Sequence, residues 1–155
     1  MRELDRIDRK ILDLLQRNGR MPMTELAEKV GLSGTPCTER VRRLEREGVI
    51  TGYHAHVSPI AMGKPLLVFV EIKLSAKSGE VFEKVRHEMA FIPEVLECHL
   101  VSGEFDYLIK ARIGHMSEYR RLLGNILLKL PAAAQSRSSV VMEEIKESMY
   151  LPVDG

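Results

Sequence analysis

The stretch "VGLSGTPCTERVRRLEREGVI", residues 30–50, limits what this chain can become more than any other. A turn at Gly31-Leu32-Ser33 leads into a run that can only be a helix with one narrow buried side. At 100° per residue, Cys37, Val41, Leu44 and Gly48 fall within a single arc that must face a core. Thr35, Glu39, Arg42, Arg43 and Arg46 lie on the far side, with Thr38 at its edge. Ser33 is placed as the N-cap, where its hydroxyl can accept a bond from a backbone N–H one turn inside. Pro36 falls in the first turn, where its missing N–H costs little.

Two further helices precede this one. Leu4, Ile7, Ile11, Leu14 and Leu15 keep the three-and-four spacing of a one-sided helix until Asn18-Gly19 stops it. Glu25 to Val30 forms a shorter helix whose apolar side is Leu26, Ala27 and Val30, closed by Gly31. Three helices joined through a glycine turn, the last basic on its outer side, make the pattern of a helix-turn-helix. "GVITGYHAHV" follows and reads as a β segment, a candidate wing.

An outward basic helix of this kind suits the major groove. Thr35, Thr38 and Arg42 project from its N-terminal half and are the candidates for base edges. Arg43 and Arg46 lie further along, better placed for phosphates, and Ser33 with the helix N-terminus can hold a phosphate. Arg40 lies between faces and is expected to pair with a carboxylate. The same run also fits an ordinary solvated face laced by pairs such as Glu39–Arg43. Net charge does not choose between these readings. It is +1 overall, with eleven Lys+Arg against nine Asp+Glu in residues 1–50.

Past Pro59, Gly63 and Pro65 the period changes. "LLVFVEIKL" alternates as a strand, with Val68, Val70, Ile72 and Leu74 on one face and Leu67 and Phe69 beginning the other. Residues 79–91 return to a helical period. "VLECHLV" and "DYLIKARI" are strands around Ser102-Gly103-Glu104, residues 116–130 are helical, and "SSVVMEEIKE" is expected as the last strand. The order strand, helix, strand, strand, helix, strand is the split βαβ, or ferredoxin-like, arrangement. The fold class expected is α+β. Residues 1–58 form a (winged) helix-turn-helix domain, 59–65 a hinge, and 66–155 a ferredoxin-like domain. Leu67 and Phe69 on the second sheet face suggest packing on a partner's sheet; packing on the chain's own hinge fits the same residues.

"LDRIDRKIL", "VGLSGTPCTERVRRLEREGVI", "LLVFVEI", "ECHLVSGEFDYLIKARI", "MSEYRRLLGNILLKLP" and "VVMEEIKES", in this order and over nearly the whole chain, resemble the Lrp/AsnC family of transcription regulators. The resemblance implies an N-terminal domain for double-stranded DNA, a hinge, and a C-terminal domain for an amino-acid effector and for assembly. It also implies homodimers that assemble further, often to octamers. Gly34 departs from the family, whose close members usually carry proline or another non-glycine residue there, and so does "PAAAQSRSS" before the last strand.

An amino acid needs an acceptor for its ammonium and N–H donors for its carboxylate. In "SGEFDY" Asp106 offers the acceptor, and the backbone of Ser102, Gly103 and Glu104 the donors; a plain hairpin turn capped by Asp106 fits the same residues. The resemblance places the effector pocket at this turn and the last strand of a neighbouring subunit. The matching positions are Leu100, Val101, Ser102, Gly103, Asp106, Met116, Val140 and Val141. The effector it implies is a small amino acid such as leucine or alanine. No cofactor or metal is expected.

An enzyme is the rival from another class, through Cys98-His99 or His54-Ala55-His56. Adjacent strand residues point to opposite faces, so Cys98 and His99 do not converge. Cys98 shares a face with Leu96 and Leu100 and reads as a buried apolar residue. Two histidines lack the further ligands zinc requires. Two other readings remain: a narrower regulator of one amino-acid catabolic operon, and an amino-acid-binding module that acts through protein contacts. The N-terminus lacks an apolar signal segment, no apolar run approaches the ~20 residues of a membrane span, and two cysteines make no disulfide framework. A cytoplasmic protein is expected, with no membrane partner.

Overall fold

Asp5 starts the first helix. Its Oδ1 accepts the N–H groups of Ile7 and Asp8 at 2.9 Å each, and Asp8 Oδ2 accepts the Asp5 N–H at 3.3 Å. This reciprocal capping satisfies donors that a helix N-terminus otherwise leaves open. In the computed structural model, which describes residues 3–130 and 132–153, α1 spans Arg6–Arg17, α2 Met23–Val30 and α3 Gly34–Arg46. Gly31, at φ 75°, turns the chain out of α2 in the left-handed conformation that glycine adopts without strain. Ile11, Leu15, Leu26, Ala27, Val30, Cys37, Val41 and Leu44 form the core among the three helices.

The second part consists of β1 (Leu66–Leu74), α4 (Gly79–Met89), β2 (Val95–Leu100), β3 (Tyr107–Ile113), α5 (Met116–Lys129) and β4 (Ala133–Val140). The strands form one antiparallel sheet in the order β2-β3-β1-β4. Alternation sends Val68, Val70, Ile72, Tyr107, Ile109 and Ala111 to one face, where Val85 and Met89 of α4 and Leu122 and Ile126 of α5 cover them. This is the expected α+β arrangement.

Several local expectations are corrected. The last strand is not "SSVVMEEIKE" but "AAQSRSSV". Val140 pairs with Val68 and Ala133 with Leu74, and the chain after Val141 forms no strand. Leu130 is buried at the end of α5, and the Ala132 carbonyl already accepts the Ser75 N–H at 2.8 Å, so the ladder starts at once. Backbone groups supply an edge strand's bonds, and small serines opposite Ile72 and Val70 suffice on the rim of the core. "GVITGYHAHV" forms no strand either, because no other described segment pairs with it. In β2 the register shifts between Val95 and Glu97, which takes Leu96 off the face it was expected to share with Cys98.

The chain divides into two compact units. One runs to His56 and regains the segment from Lys146 onward; the other is Val57–Ile145. The hinge residues therefore belong to the second unit. They are fastened there by Lys64, whose ammonium lies 3.4 Å from Glu118, and the Gly63 carbonyl approaches Gly114 so closely that a Cβ there would stand 2.8 Å from it. The closing residues, expected in the second domain, bond to α1 instead. Leu151 exchanges two hydrogen bonds with the Gln16 side chain at 2.8 and 3.0 Å, and the Tyr150 hydroxyl donates to Asp13.

Candidate DNA and amino-acid sites

The outer side of α3 is open at its centre and closed at one edge. Thr35, Arg42 and Arg46 are exposed, and no described residue forms an ion pair with either arginine. The two arginines, with Pro36, Glu39, Arg40 and Arg43, border a shallow depression along the helix. Arg40 pairs with carboxylates as expected: its Nη1 lies 2.6 Å from Asp5 and 2.8 Å from Asp8.

Arg43 corrects the sequence reading. Its Nη2 lies 2.6 Å from Oδ2 of Asp8, a carboxylate only 1% exposed, so it is drawn against α1 and is not held out for phosphate. Helical angle placed Arg43 on the outer arc, but angle does not say which neighbour borders that arc. No described ion pair joins Glu39 to Arg43. Thr38 is half turned in, and its hydroxyl donates to the Gly34 carbonyl at 2.9 Å, leaving its lone pairs and methyl group for a base.

Ser33 occupies the N-cap position of α3, yet its hydroxyl accepts no capping bond. A cap takes the N–H of the second or third helical residue, and the third here is Pro36, which has none. The hydroxyl and the first N–H groups of α3 thus stay available to an anion. Asp8, which holds both Arg40 and Arg43, is the residue of this region that sequence reasoning missed. The spacing Asp5-x-x-Asp8 signals a capping pair, but nothing in it points across to α3.

At the β2–β3 turn, Gly103 has φ 133°, a region nearly closed to other residues, and the N–H groups of Ser102, Gly103 and Glu104 donate to no described backbone group. Leu100 is exposed and Val101 half-buried. Asp106 does not present an open carboxylate. Its Oδ2 accepts the Leu74 N–H at 2.8 Å and its Oδ1 lies 2.6 Å from the Lys77 ammonium. The Lys77 ammonium, then the Leu74 N–H, hold its carboxyl below the ordinary 3.8. Sequence gave no sign of Lys77, which lies in the loop after β1.

The remaining effector candidates lie apart from this turn. Val140 pairs with Val68, Val68 with Ala111, and Met116 opens the helix that follows β3, so these sit at the far end of a strand about 20 Å long. Cys98 packs toward the core, where burial pushes its thiol up, while His99 lies 3.0 Å from Glu97.

Residues 4–51 match the model of winged helix-turn-helix DNA-binding domains, and residues 67–151 that of Lrp/AsnC ligand-binding domains. The chain belongs to the Lrp/AsnC family. Across 152 residues it is 53% identical to the leucine-responsive regulatory protein of Escherichia coli (strain K12), covering 98% of this chain and 93% of that one. Among solved structures it is similar to a Neisseria meningitidis transcriptional regulator in complex with L-methionine, at 35% identity, TM-score 0.91 and 98% of each chain. An AsnC-family transcriptional regulator from Agrobacterium tumefaciens matches at 34% identity, TM-score 0.90 and 96% of each chain. As an Lrp/AsnC protein, the chain is a DNA-binding transcription regulator responsive to amino acids, and not an enzyme. No described helix is long and apolar enough to cross a membrane.

Proposed function

We propose that this Lrp/AsnC protein controls genes of amino-acid metabolism from the cytoplasm, with leucine or alanine as effector, and that α3 lies in the major groove. Thr35, Thr38 and Arg42 read base edges; Arg46, Ser33 and the N-terminus of α3 hold phosphates. The observation that carries this reading is the pair Arg42 and Arg46, exposed on one side of a helix and without an ion-pair partner among the described residues. One helix reaches too few base pairs to select an operator, so the protein acts as a dimer on paired half-sites and assembles further, as octamers.

The effector reading rests on the β2–β3 turn, where open N–H groups can receive a carboxylate beside Asp106. Val140, Val141 and Met116 complete this pocket from a second subunit, since a single chain keeps them at the other end of the sheet. A pocket shared between subunits lets the amino acid bias assembly, and a coupling of about 1–3 kcal/mol is enough to switch occupancy. Genomic DNA fragments retained by the protein, sequenced with and without a panel of amino acids, test operator and effector together. Arg42→Ala is expected to lose about 1–3 kcal/mol of specific binding while remaining folded. Undiminished affinity in the folded variant refutes the assignment of Arg42. A narrower set of fragments from one catabolic operon would assign the protein to that operon.

A further inference from the structure

We infer that Asp8, seconded by Asp5, is the positioning residue of the recognition helix: it withholds Arg40 and Arg43 from DNA, sets the roll of α3 about its axis, and leaves Arg42 and Arg46 to face the duplex. The inference rests on the reading of α3 as the DNA-contacting helix. Asp8 Oδ1 takes Arg40 Nη1 at 2.8 Å and Oδ2 takes Arg43 Nη2 at 2.6 Å, while Asp5 takes the same Arg40 nitrogen at 2.6 Å. A carboxylate this far from water must keep its charged partners. Two anchors three residues apart on one edge of α3, each on its own oxygen, resist rolling in a way that one anchor does not.

A second observation agrees. Arg43 Nε is buried without a hydrogen-bond partner. The guanidinium is thus drawn inward toward Asp8, away from the partners that water would offer its Nε. The consequence concerns charge. Of the arginines at 40, 42, 43 and 46, two are paired with carboxylates among the described residues. Attraction to phosphate, which is blind to sequence, is therefore smaller than the composition of α3 suggests, and contacts to bases weigh more in the choice of site.

The test measures affinity of the full-length protein for a random-sequence duplex against salt concentration, where each phosphate contact contributes about 0.9 to the logarithmic slope. Arg42→Gln with Arg46→Gln is expected to flatten the slope by about 0.9 per bound subunit, the phosphate contact of Arg46, and Arg40→Gln with Arg43→Gln by less than about 0.3. Asp8→Asn is expected to bind this duplex more tightly, with a steeper slope, and to discriminate less against it in favour of a selected genomic fragment. Equal flattening by the two arginine pairs overturns the inference, as does an Asp8→Asn protein that binds more weakly at every salt concentration with an unaltered slope. Should Asp8→Asn fail to fold, the arginine pairs decide alone. A slope untouched by loss of Arg42 and Arg46 instead overturns the placement of α3 on DNA, and the inference with it.

Discussion

The ammonium of Lys77 lies 2.6 Å from Asp106 Oδ1, so the β2–β3 turn is tied to the loop after β1 before any ligand arrives. An effector ammonium that uses this carboxylate meets Lys77 as a rival. Lys77→Met is therefore expected to bind leucine or alanine about three- to tenfold more tightly, a gain of about 0.7–1.4 kcal/mol, as read by calorimetry. Weaker binding would instead make Lys77 one of the ligand's own contacts.

The same pair has a pH signature. The fold holds the Asp106 carboxyl below its ordinary 3.8, through Lys77 first and the Leu74 N–H second. Folding thus favours the ionised form. Its contribution is complete above about pH 5 and disappears as the pH falls through the lowered value. In urea titrations Asp106→Asn is expected to lose about 2 kcal/mol against the natural protein at pH 7, and progressively less as the pH falls below the ordinary 3.8. A difference that does not shrink in acid would assign the loss to packing.

Gly34 is the first residue of α3, and a Cβ built there meets nothing within 4 Å. Ser33 before it has φ −76° and ψ 163°, the extended conformation that a following proline requires. Gly34→Pro is expected to stabilise the protein by about 0.4–1 kcal/mol, by restricting the unfolded chain, and to raise Tm by a few degrees. A lower Tm would show that the helix start is not free to take proline's φ.

Tyr150 donates to Asp13, and the Arg17 guanidinium lies 4.8 Å from the centre of its ring. Loss of these contacts is expected to loosen α1 locally. Hydrogen exchange in Tyr150→Ala should then be about fivefold faster for α1 amides that exchange by local opening, with amides of β1 and β3 unchanged. Equal rates in α1 would mean that the closing segment lends it no stability.

Elements that bury one face were legible from periodicity. Ile11, Val41 and Leu44, or Val68, Val70 and Ile72, announce their helix or strand because water imposes the spacing wherever a surface must be half covered. β4 was not legible. Ser136, Arg137 and Ser138 carry almost no apolar signal, and their strand exists because β1 offers a free ladder of backbone groups beside them. "VVMEEI" carried the signal and forms no strand, and Tyr150 and Leu151 reach α1 through polar bonds that leave no periodic trace.

The site divides along the same line. Thr35, Arg42 and Arg46 could be placed on the outside of α3 by counting residues along one helix, and the glycine turn at 103 by its neighbours in the chain. That Arg43 and Asp106 are already occupied could not be read this way, since Asp8 lies 35 residues from Arg43 and Lys77 lies 29 from Asp106. Hydrophobic spacing is a local property, written along the chain. A long charged side chain chooses its partner only after folding has set neighbours in place and taken the water from between them.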